Sequence, residues 1–191
     1  MNIGLFGGSF NPIHTGHAII ANYVAQFSGI DQLWFLVSPQ NPLKTENTDV
    51  SNADRIRMVE MVSRRIDKAI TSAFEFGLPH PSYTVNTLRA LQDKFPEHEF
   101  TLIIGADNWA SFDRWKCPEE IIDRCKILIY PRAGFSISIP DVYKNRVAAI
   151  DAPIIEISST DIRQHLKKLD NMAFYLPQDV YQYILNNKLY I

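Results

Sequence analysis

The chain has 191 residues and a formal net charge of −2, so its charge does not indicate binding to nucleic acid or to an anionic membrane surface. No apolar run approaches the ~20 residues that span a bilayer, and the first residues lack the pattern of a signal peptide. Cys117 and Cys125 are too few for a disulfide framework, so we expect reduced thiols in a cytoplasmic protein. The length fits one domain, which we place at 1–191.

The first predicted elements are a strand, a glycine turn and a helix. The strand covers 2–6, and Gly7-Gly8 is expected to end it because glycine takes positive φ freely. Apolar residues at helical spacing predict a helix that begins near Thr15. A helix N-terminus after such a turn presents N–H groups and a positive dipole end, which favours an anion site. A simple tight turn is the alternative.

Two histidines mark the start of this helix. His14 and His17 lie three residues apart, so both can face one ligand from the first turn. They could also be surface residues or half of a metal site, but no Cys or Glu nearby completes a zinc set. The loop lacks both the Gly-x-Gly-x-x-Gly fingerprint and the Lys-Ser/Thr ending of a P-loop. The pattern therefore indicates phosphate handling by another kind of loop.

A second strand is predicted at 33–37, and Asn52 is expected to cap the next helix. Most arginines of that helix, Arg55 among them, are expected on a solvated face. The intervening loop at 38–51 is long for a compact domain, which indicates a functional loop over the site. Lys44 lies in it and could reach a phosphate, although a lone loop lysine is more often solvated.

Strands and helices go on alternating to the end of the chain. Further strands are predicted at 69–74, 100–104 and 126–130, and 147–157 is predicted to contain one last strand or a pair of short ones broken by Pro153. Further helices are predicted at 85–91, 118–124 and 177–187. The alternation predicts a doubly wound parallel sheet with helices on both faces. Asp107 follows a predicted strand closely, and a carboxylate there faces the crevice where open α/β sheets bind ligands.

A second informative motif covers 157–163. Ser158 with Asp161 predicts a capping box at the start of a helix. Arg163 falls in the first turn, where the helix dipole favours acidic residues, and an anionic ligand would resolve this conflict. A helix that is merely well capped is the alternative.

Two stretches resemble the nucleotidyltransferase superfamily. Residues 4–17 resemble its motif Gly-x-Phe-Asp-Pro-x-His-x-Gly-His, with Asn11 where aspartate is usual, and residues 158–163 resemble its second signature, Ser-x-Thr-x-x-Arg. The resemblance implies a Rossmann-like nucleotidyltransferase fold and adenylyl transfer from ATP. It also implies catalytic His14, His17 and Arg163, and ATP-binding Gly7, Gly8, Ser9, Phe10, Gly105, Asp107, Ser158, Thr160 and Arg163.

The middle of the chain resembles the bacterial nicotinate-nucleotide adenylyltransferases. Residues 81–88 and 104–115 carry this resemblance, which runs from Asn2 to about Tyr190. It implies that nicotinate mononucleotide accepts the adenylyl group and that Mg²⁺ accompanies ATP, although no carboxylate cluster marks a metal cage. With the loop lysine added, the expected substrate-binding residues are Lys44, Thr84, Trp115 and Lys116.

Two other functions stay open at this point. A related adenylyltransferase with another acceptor, nicotinamide mononucleotide or phosphopantetheine, would keep both signatures. A non-catalytic nucleotide-binding protein would bind ATP and release no pyrophosphate with any acceptor. The expected partners are small molecules, without nucleic acid or membrane, and the sequence does not predict an oligomeric state.

Overall fold

The computed structural model describes residues 1–39 and 50–191. The strands are β1 (Asn2–Gly8), β2 (Gln32–Val37), β3 (Ala69–Ser72), β4 (Glu99–Gly105), β5 (Lys126–Tyr130) and β6 (Val147–Ala149). The helices are α1 (Thr15–Phe27), α2 (Asn52–Ser63), α3 (Thr84–Lys94), α4 (Ala106–Trp109), α5 (Pro118–Arg124), α6 (Ser159–Lys167) and α7 (Gln178–Asn186).

The strands form one all-parallel sheet, whose order in the described part of the chain is β3-β2-β1-β4-β5-β6. β1 lies inside the sheet, with Phe6 level with Phe35 of β2 and Ile103 of β4. The chain therefore builds one half of the sheet from β1 and then returns to its other side at β4. Ligands bind beyond the carboxyl ends of strands at such a reversal, here after Gly8 and Gly105. The predicted doubly wound fold is confirmed.

Apolar side chains pack on both faces of this sheet. Ile3 and Leu5 of β1 join Leu88 of α3 in a buried cluster on one face. Phe6 points to the opposite face, where it joins Val24 of α1 in a second cluster. Strands buried on both faces need nearly continuous apolar runs, which is the pattern that predicts β1 and β4. In the ranges described, no helix is both long and apolar enough to cross a membrane.

The glycine turn differs from its prediction. Gly7 and Gly8 still belong to β1, and neither has a positive φ; the left-handed residue is Phe10, with φ +45°. Its ring is 2% exposed and packs edge-on against Phe6 and Phe35, and this burial offsets the backbone strain. Glycine at position 8 serves close packing instead, because a Cβ there would lie 3.0 Å from the Phe10 ring.

Two predicted boundaries also need correction. Ser51, and not Asn52, caps α2, because the Ser51 hydroxyl accepts from the Asp54 N–H at 3.1 Å. The third strand ends at Ser72, and a short 3₁₀ helix follows at Phe74–Gly77. Within 147–157 the structure has the first of the two predicted alternatives, the single strand β6.

Arg55 is buried and does not belong to a solvated face. Its guanidinium donates to the carbonyl oxygens of Ser9, Ser38 and Pro39, the Ser38 contact measuring 2.8 Å. Helical periodicity cannot reveal such a role, because the three acceptors are backbone atoms of distant loops. Lys44, in the predicted loop, falls outside the described residues.

We expect Arg55→Met to lower the free energy of unfolding by about 2–4 kcal/mol. The change leaves three carbonyls without their donor, and each buried unsatisfied group costs about 1–3 kcal/mol, reduced by local relaxation. Urea unfolding measures the loss. Arg57→Met on the same helix is the control: Arg57 is exposed and pairs with Glu60, so a change within about 0.5 kcal/mol is expected. Equal losses in both variants would contradict the role given to Arg55.

Candidate active site

Two adjoining cavities open where the strands reverse. The larger has a volume of about 430 Å³ and the smaller about 280 Å³. Gly7, Gly8, Ser9 and Asn108 line both of them, so the end of β1 and the start of α4 form a shared wall. Two ligands bound side by side would therefore meet at this wall.

The smaller cavity brings the two sequence motifs together. Of the residues expected to bind ATP or act in catalysis, those that line it are Gly7, Gly8, Ser9, Phe10, His14, His17, Asp107, Ser158 and Thr160. The start of α1 and the start of α6 face each other across it, although more than 140 residues separate His14 from Ser158 in the chain. Gly105 and Arg163 are expected site residues that do not line this cavity.

The histidines cap α1 reciprocally. The His17 N–H donates to Nδ1 of His14, and the His14 N–H donates to Nδ1 of His17, each at 3.3 Å. The rings stack with centroids 3.6 Å apart. Because each Nδ1 accepts a hydrogen bond, we assign the proton of each neutral ring to Nε2. Both rings line the smaller cavity, and each carries its N–H donor on Nε2.

His14 is neutral at physiological pH. It is 4% exposed, and burial, followed by the positive charge of Arg132, lowers the pKa of its imidazole from 6.5 to about 3. A neutral ring donates a hydrogen bond from Nε2 without carrying a charge. The His14 ring can therefore offer a hydrogen bond to an anion but not a positive charge.

The start of α1 has fewer backbone N–H groups available to a ligand than the sequence predicts. The Thr15 N–H donates to the carbonyl oxygen of Tyr175 at 3.0 Å, and the His17 N–H is taken by His14. These two groups at the helix start are therefore used inside the protein. The prediction of bare N–H groups there is wrong for both positions.

Gly105 positions a carboxylate although it does not line the cavity. A Cβ at Gly105 would lie 2.3 Å from Oδ1 of Asp107 and 3.1 Å from the Tyr130 ring. The same Oδ1 is buried, accepts no hydrogen bond from the described residues, and lies 3.7 Å from Nε of Arg132. Only glycine leaves room for the Asp107 carboxylate in this orientation.

Arg163 lies behind the wall of the smaller cavity. Its guanidinium donates to the carbonyl oxygen of Asn11 at 2.9 Å and to Oγ1 of Thr160 at 3.3 Å. The Ser158 hydroxyl accepts from the Asp161 N–H at 3.3 Å, as expected for an N-cap. The second motif thus holds the loop of the first motif as well as lining the cavity.

The larger cavity contains the remaining predicted site. Thr84, Trp115 and Lys116 all line it, with Lys116 Nζ 4.5 Å from the centroid of the Tyr83 ring. The Ser82 hydroxyl and Trp115 Nε1 are buried without a hydrogen-bond partner among the described residues. Its apolar side includes buried leucine and isoleucine side chains: Leu5, Leu88, Leu102 and Ile121. An aromatic ligand with polar substituents matches such a lining.

Sequence reasoning missed three residues of these cavities. Arg132 follows the end of β5 just as Asp107 follows the end of β4, so its position beside a neighbouring strand end was a usable signal. Asn108 lines both cavities and lay inside a quoted stretch without receiving a role. Glu75 lines the larger cavity, but its sequence context indicates only a turn.

Between pH 7 and pH 5, we expect the free energy of unfolding to fall by about 1–2 kcal/mol more in the native protein than in the His14→Asn variant. The unfolded ring binds a proton below its pKa of 6.5, whereas the folded ring, with a pKa of about 3, stays neutral, so falling pH favours the unfolded state. Asparagine keeps an N-cap acceptor and does not titrate. Urea unfolding at pH 7, 6 and 5 measures both slopes, and identical slopes would contradict the buried neutral ring.

Comparison with known proteins relates the whole chain to one family. A family model described as Cytidylyltransferase-like matches residues 5–165. The probable nicotinate-nucleotide adenylyltransferase of Bacteroides thetaiotaomicron is 45% identical over 184 residues, which cover 96% of this chain and 91% of that protein. The protein of the same name from Flavobacterium psychrophilum is 44% identical over 191 residues, covering 100% of this chain and 99% of that one.

Solved structures share the fold. Plasmodium falciparum nicotinic acid mononucleotide adenylyltransferase complexed with NaAD superposes with a TM-score of 0.82 at 20% identity, covering 99% of this chain and 97% of that chain. The same protein complexed with APC gives a TM-score of 0.80 at 21% identity, with coverages of 99% and 96%. Taken with the family model and the bacterial relatives, these results show that this chain belongs to the nicotinate-nucleotide adenylyltransferase family.

Proposed function

We propose that this protein transfers the adenylyl group of ATP to nicotinate mononucleotide, giving deamido-NAD and pyrophosphate in NAD biosynthesis. The observation that carries the proposal is the pair of adjoining cavities. One contains the two histidines and the second signature, the other contains Thr84 and Trp115, and Gly7 to Ser9 line both. A donor nucleotide and an acceptor mononucleotide bound in them would bring their phosphates together at the shared wall.

The reaction needs no nucleophile from the protein. A phosphate oxygen of nicotinate mononucleotide forms a bond to the α-phosphorus of ATP, and the bond from that phosphorus to the leaving pyrophosphate oxygen breaks. The attacking oxygen is already an anion at neutral pH. The protein then contributes in-line positioning and neutralisation of the charge that develops on the phosphoryl oxygens.

The smaller cavity supplies the groups for ATP. His14 and His17 would donate Nε2–H to phosphate oxygens, without proton transfer from the neutral His14 ring. Asp107, in the room left by Gly105, would accept from hydroxyls of the adenosine ribose. The shared loop of Gly7, Gly8, Ser9 and Phe10 would lie along the nucleotide, with Ser158 and Thr160 on the phosphate side.

Arg163 would neutralise charge on the phosphates beside Thr160. Its guanidinium is within 3.3 Å of the Thr160 hydroxyl, which itself lines the smaller cavity. Its planar fork offers paired N–H donors suited to phosphate oxygens. The bond from Arg163 to the Asn11 carbonyl would hold the first motif in place at the same time.

The larger cavity supplies the acceptor contacts. The Thr84 hydroxyl and the Lys116 backbone N–H would hold the pyridine carboxylate, with Trp115 against the ring. The buried Ser82 hydroxyl, which has no partner within the described ranges, is a further donor for this group. The assignment of Lys44 to the acceptor phosphate stays a prediction, since that residue lies outside the described ranges.

Mg²⁺ would enter as part of the nucleotide substrate. No group of three or more His, Cys, Asp or Glu side chains able to hold a metal is found in the described ranges. Asp107 is the one carboxylate among the residues found to line the smaller cavity, and a single carboxylate does not form a protein cage. The phosphates of ATP and water would thus provide most ligands of the ion, as is common for Mg²⁺.

Several expectations of the sequence stay predictions. They are a cytoplasmic location, one domain at 1–191, and the lack of nucleic-acid and membrane partners. Cys117 and Cys125 are both free thiols, which supports the first of these.

We expect kcat/KM to favour nicotinate mononucleotide over nicotinamide mononucleotide by at least ~10²-fold. The carboxylate only accepts hydrogen bonds, and a site of hydroxyl and N–H donors would leave the amide NH₂ of the other acceptor facing a donor. Pyrophosphate release from ATP with these two acceptors and with phosphopantetheine measures the preference. Thr84→Val should reduce it, chiefly by weakening use of the acid. Equal use of acid and amide would contradict the assignment of nicotinate mononucleotide as the acceptor. If none of the three acceptors led to pyrophosphate release, the assignment as an adenylyltransferase would be contradicted.

We expect His14→Ala and His17→Ala each to lower kcat by ~10²–10³-fold, because each removes a donor whose bond strengthens as charge develops. The same pyrophosphate assay gives kcat, and circular dichroism at the assay temperature shows whether each variant is folded. His165→Ala removes an exposed histidine that pairs with Asp170, and its rate should stay within about twofold of native. Near-native turnover in a folded His17→Ala variant would contradict its catalytic role.

A further inference from the structure

Glu75 places a buried carboxylate in the larger cavity. It lies in the 3₁₀ helix that follows β3 and is 5% exposed. Its Oε1 accepts from the Thr87 hydroxyl at 2.8 Å. Its Oε2 is buried and meets no hydrogen-bond partner among the described residues, although the Ser38 hydroxyl is near enough to lower the pKa of the carboxyl. Buried carboxylates are normally paired with a cation or fully hydrogen-bonded, so this oxygen needs an explanation.

The surrounding protein compensates this carboxylate only in part. Among the described residues no lysine or arginine forms an ion pair with Glu75. Burial raises the pKa of the Glu75 carboxyl. Smaller opposing effects, which lower this pKa, come from the hydroxyls of Ser38 and Thr87 and from the exposed His80. A cationic group bound in the cavity would favour the ionised form and would occupy the unused face of Oε2.

The proposed acceptor carries such a group. In nicotinate mononucleotide the ring nitrogen is bonded to the ribose carbon, so the ring is a pyridinium with a permanent positive charge and no N–H. Its carboxylate, on the same ring, is negative. A pocket for this ring therefore has to meet two opposite charges that lie close together.

The elements of the larger cavity are arranged for both charges. Thr84 is the first residue of α3, whose 11-residue length gives a positive dipole end suited to the carboxylate. Thr87, the partner of Glu75, lies three residues further along on the same side of the helix. Glu75 is thus held about one helical turn beyond Thr84, and both residues line the larger cavity.

We propose that Glu75 contacts the acceptor and is the counter-charge of its pyridinium ring, which makes it a specificity-determining residue. This inference rests on the proposed function, since it assumes that nicotinate mononucleotide occupies the larger cavity. Glu75 then selects for a positively charged ring, while Thr84 and its neighbours select for the acid over the amide. A ring of the same shape without the charge would leave the Glu75 carboxylate buried and uncompensated.

The test compares two acceptors that differ only in ring charge. One is nicotinate mononucleotide, and the other is its C-linked analogue, in which a 3-carboxyphenyl ring replaces the pyridinium. Dissociation constants for both are measured by calorimetry with the native protein and with Glu75→Gln, which keeps the shape and an acceptor for Thr87. Glu99→Gln is the matched control, because Glu99 is exposed at the opposite end of β4.

We expect the native protein to bind nicotinate mononucleotide roughly 10- to 100-fold more tightly than the neutral analogue, because the analogue leaves a buried carboxylate oxygen unsatisfied. Glu75→Gln should weaken the pyridinium acceptor by a similar factor, leave the neutral analogue within about threefold, and leave the KM for ATP unchanged. Glu99→Gln should match the native protein. The native measurement tests the proposal even if Glu75→Gln does not fold.

Three results would overturn the assignment of Glu75. The first is equal affinity of the native protein for the two acceptors, and the second is equal weakening of both by Glu75→Gln. The third is that Glu75→Gln weakens binding of nicotinate mononucleotide but not of its 2′-deoxy or 3′-deoxy form. The last would mean that Glu75 accepts from the ribose. Failure of the native protein to release pyrophosphate with nicotinate mononucleotide is a separate result, which would overturn the proposed function itself.

Discussion

The reciprocal hydrogen bonds between His14 and His17 are the interaction on which the site depends. They satisfy two backbone N–H groups at the start of α1 and use the Nδ1 atom of both rings. The helix start, the ring tautomers and the direction of the ring donors are thus fixed by one pair of contacts. An imidazole suits this position because its two nitrogens act separately, one toward the backbone and the other toward a ligand.

The loop that precedes the histidines is held from several distant parts of the chain. Arg55 of α2 donates to the Ser9 carbonyl, and Ser159 of α6 donates to the carbonyl of Pro12. Arg163 donates to the Asn11 carbonyl, and the Tyr190 hydroxyl donates to the Asn11 side chain. The Asn11 amide oxygen accepts from Tyr190 as an aspartate oxygen could, so this contact is compatible with the exchange of the usual aspartate for asparagine. Such a tethered loop needs little rearrangement when a nucleotide binds.

The parts of this architecture that follow local rules could be predicted. β1, α1, the cap at Ser158 and the crevice beside Asp107 all follow from periodicity, capping preferences and the alternation of strands and helices. The left-handed Phe10 could not be predicted, because its conformation depends on a ring cluster formed by other elements. Arg55 and Glu75 were missed for the same reason, since their partners lie in distant loops or in the ligand cavity. Charged residues are usually exposed, and only the fold shows which ones are buried.

The tethers of the 9–12 loop have a consequence for the order of folding. Their partners lie 46, 147, 152 and 179 residues away in sequence, so each contact closes a long loop. Contacts of this kind form after local ones, because the entropy of closure is lost before the contact compensates for it. We therefore expect the sheet and helices to assemble before the 9–12 loop adopts its final conformation. On a ribosome, this loop would stay unfinished until Tyr190 had emerged, because that residue provides the most distant of the four contacts.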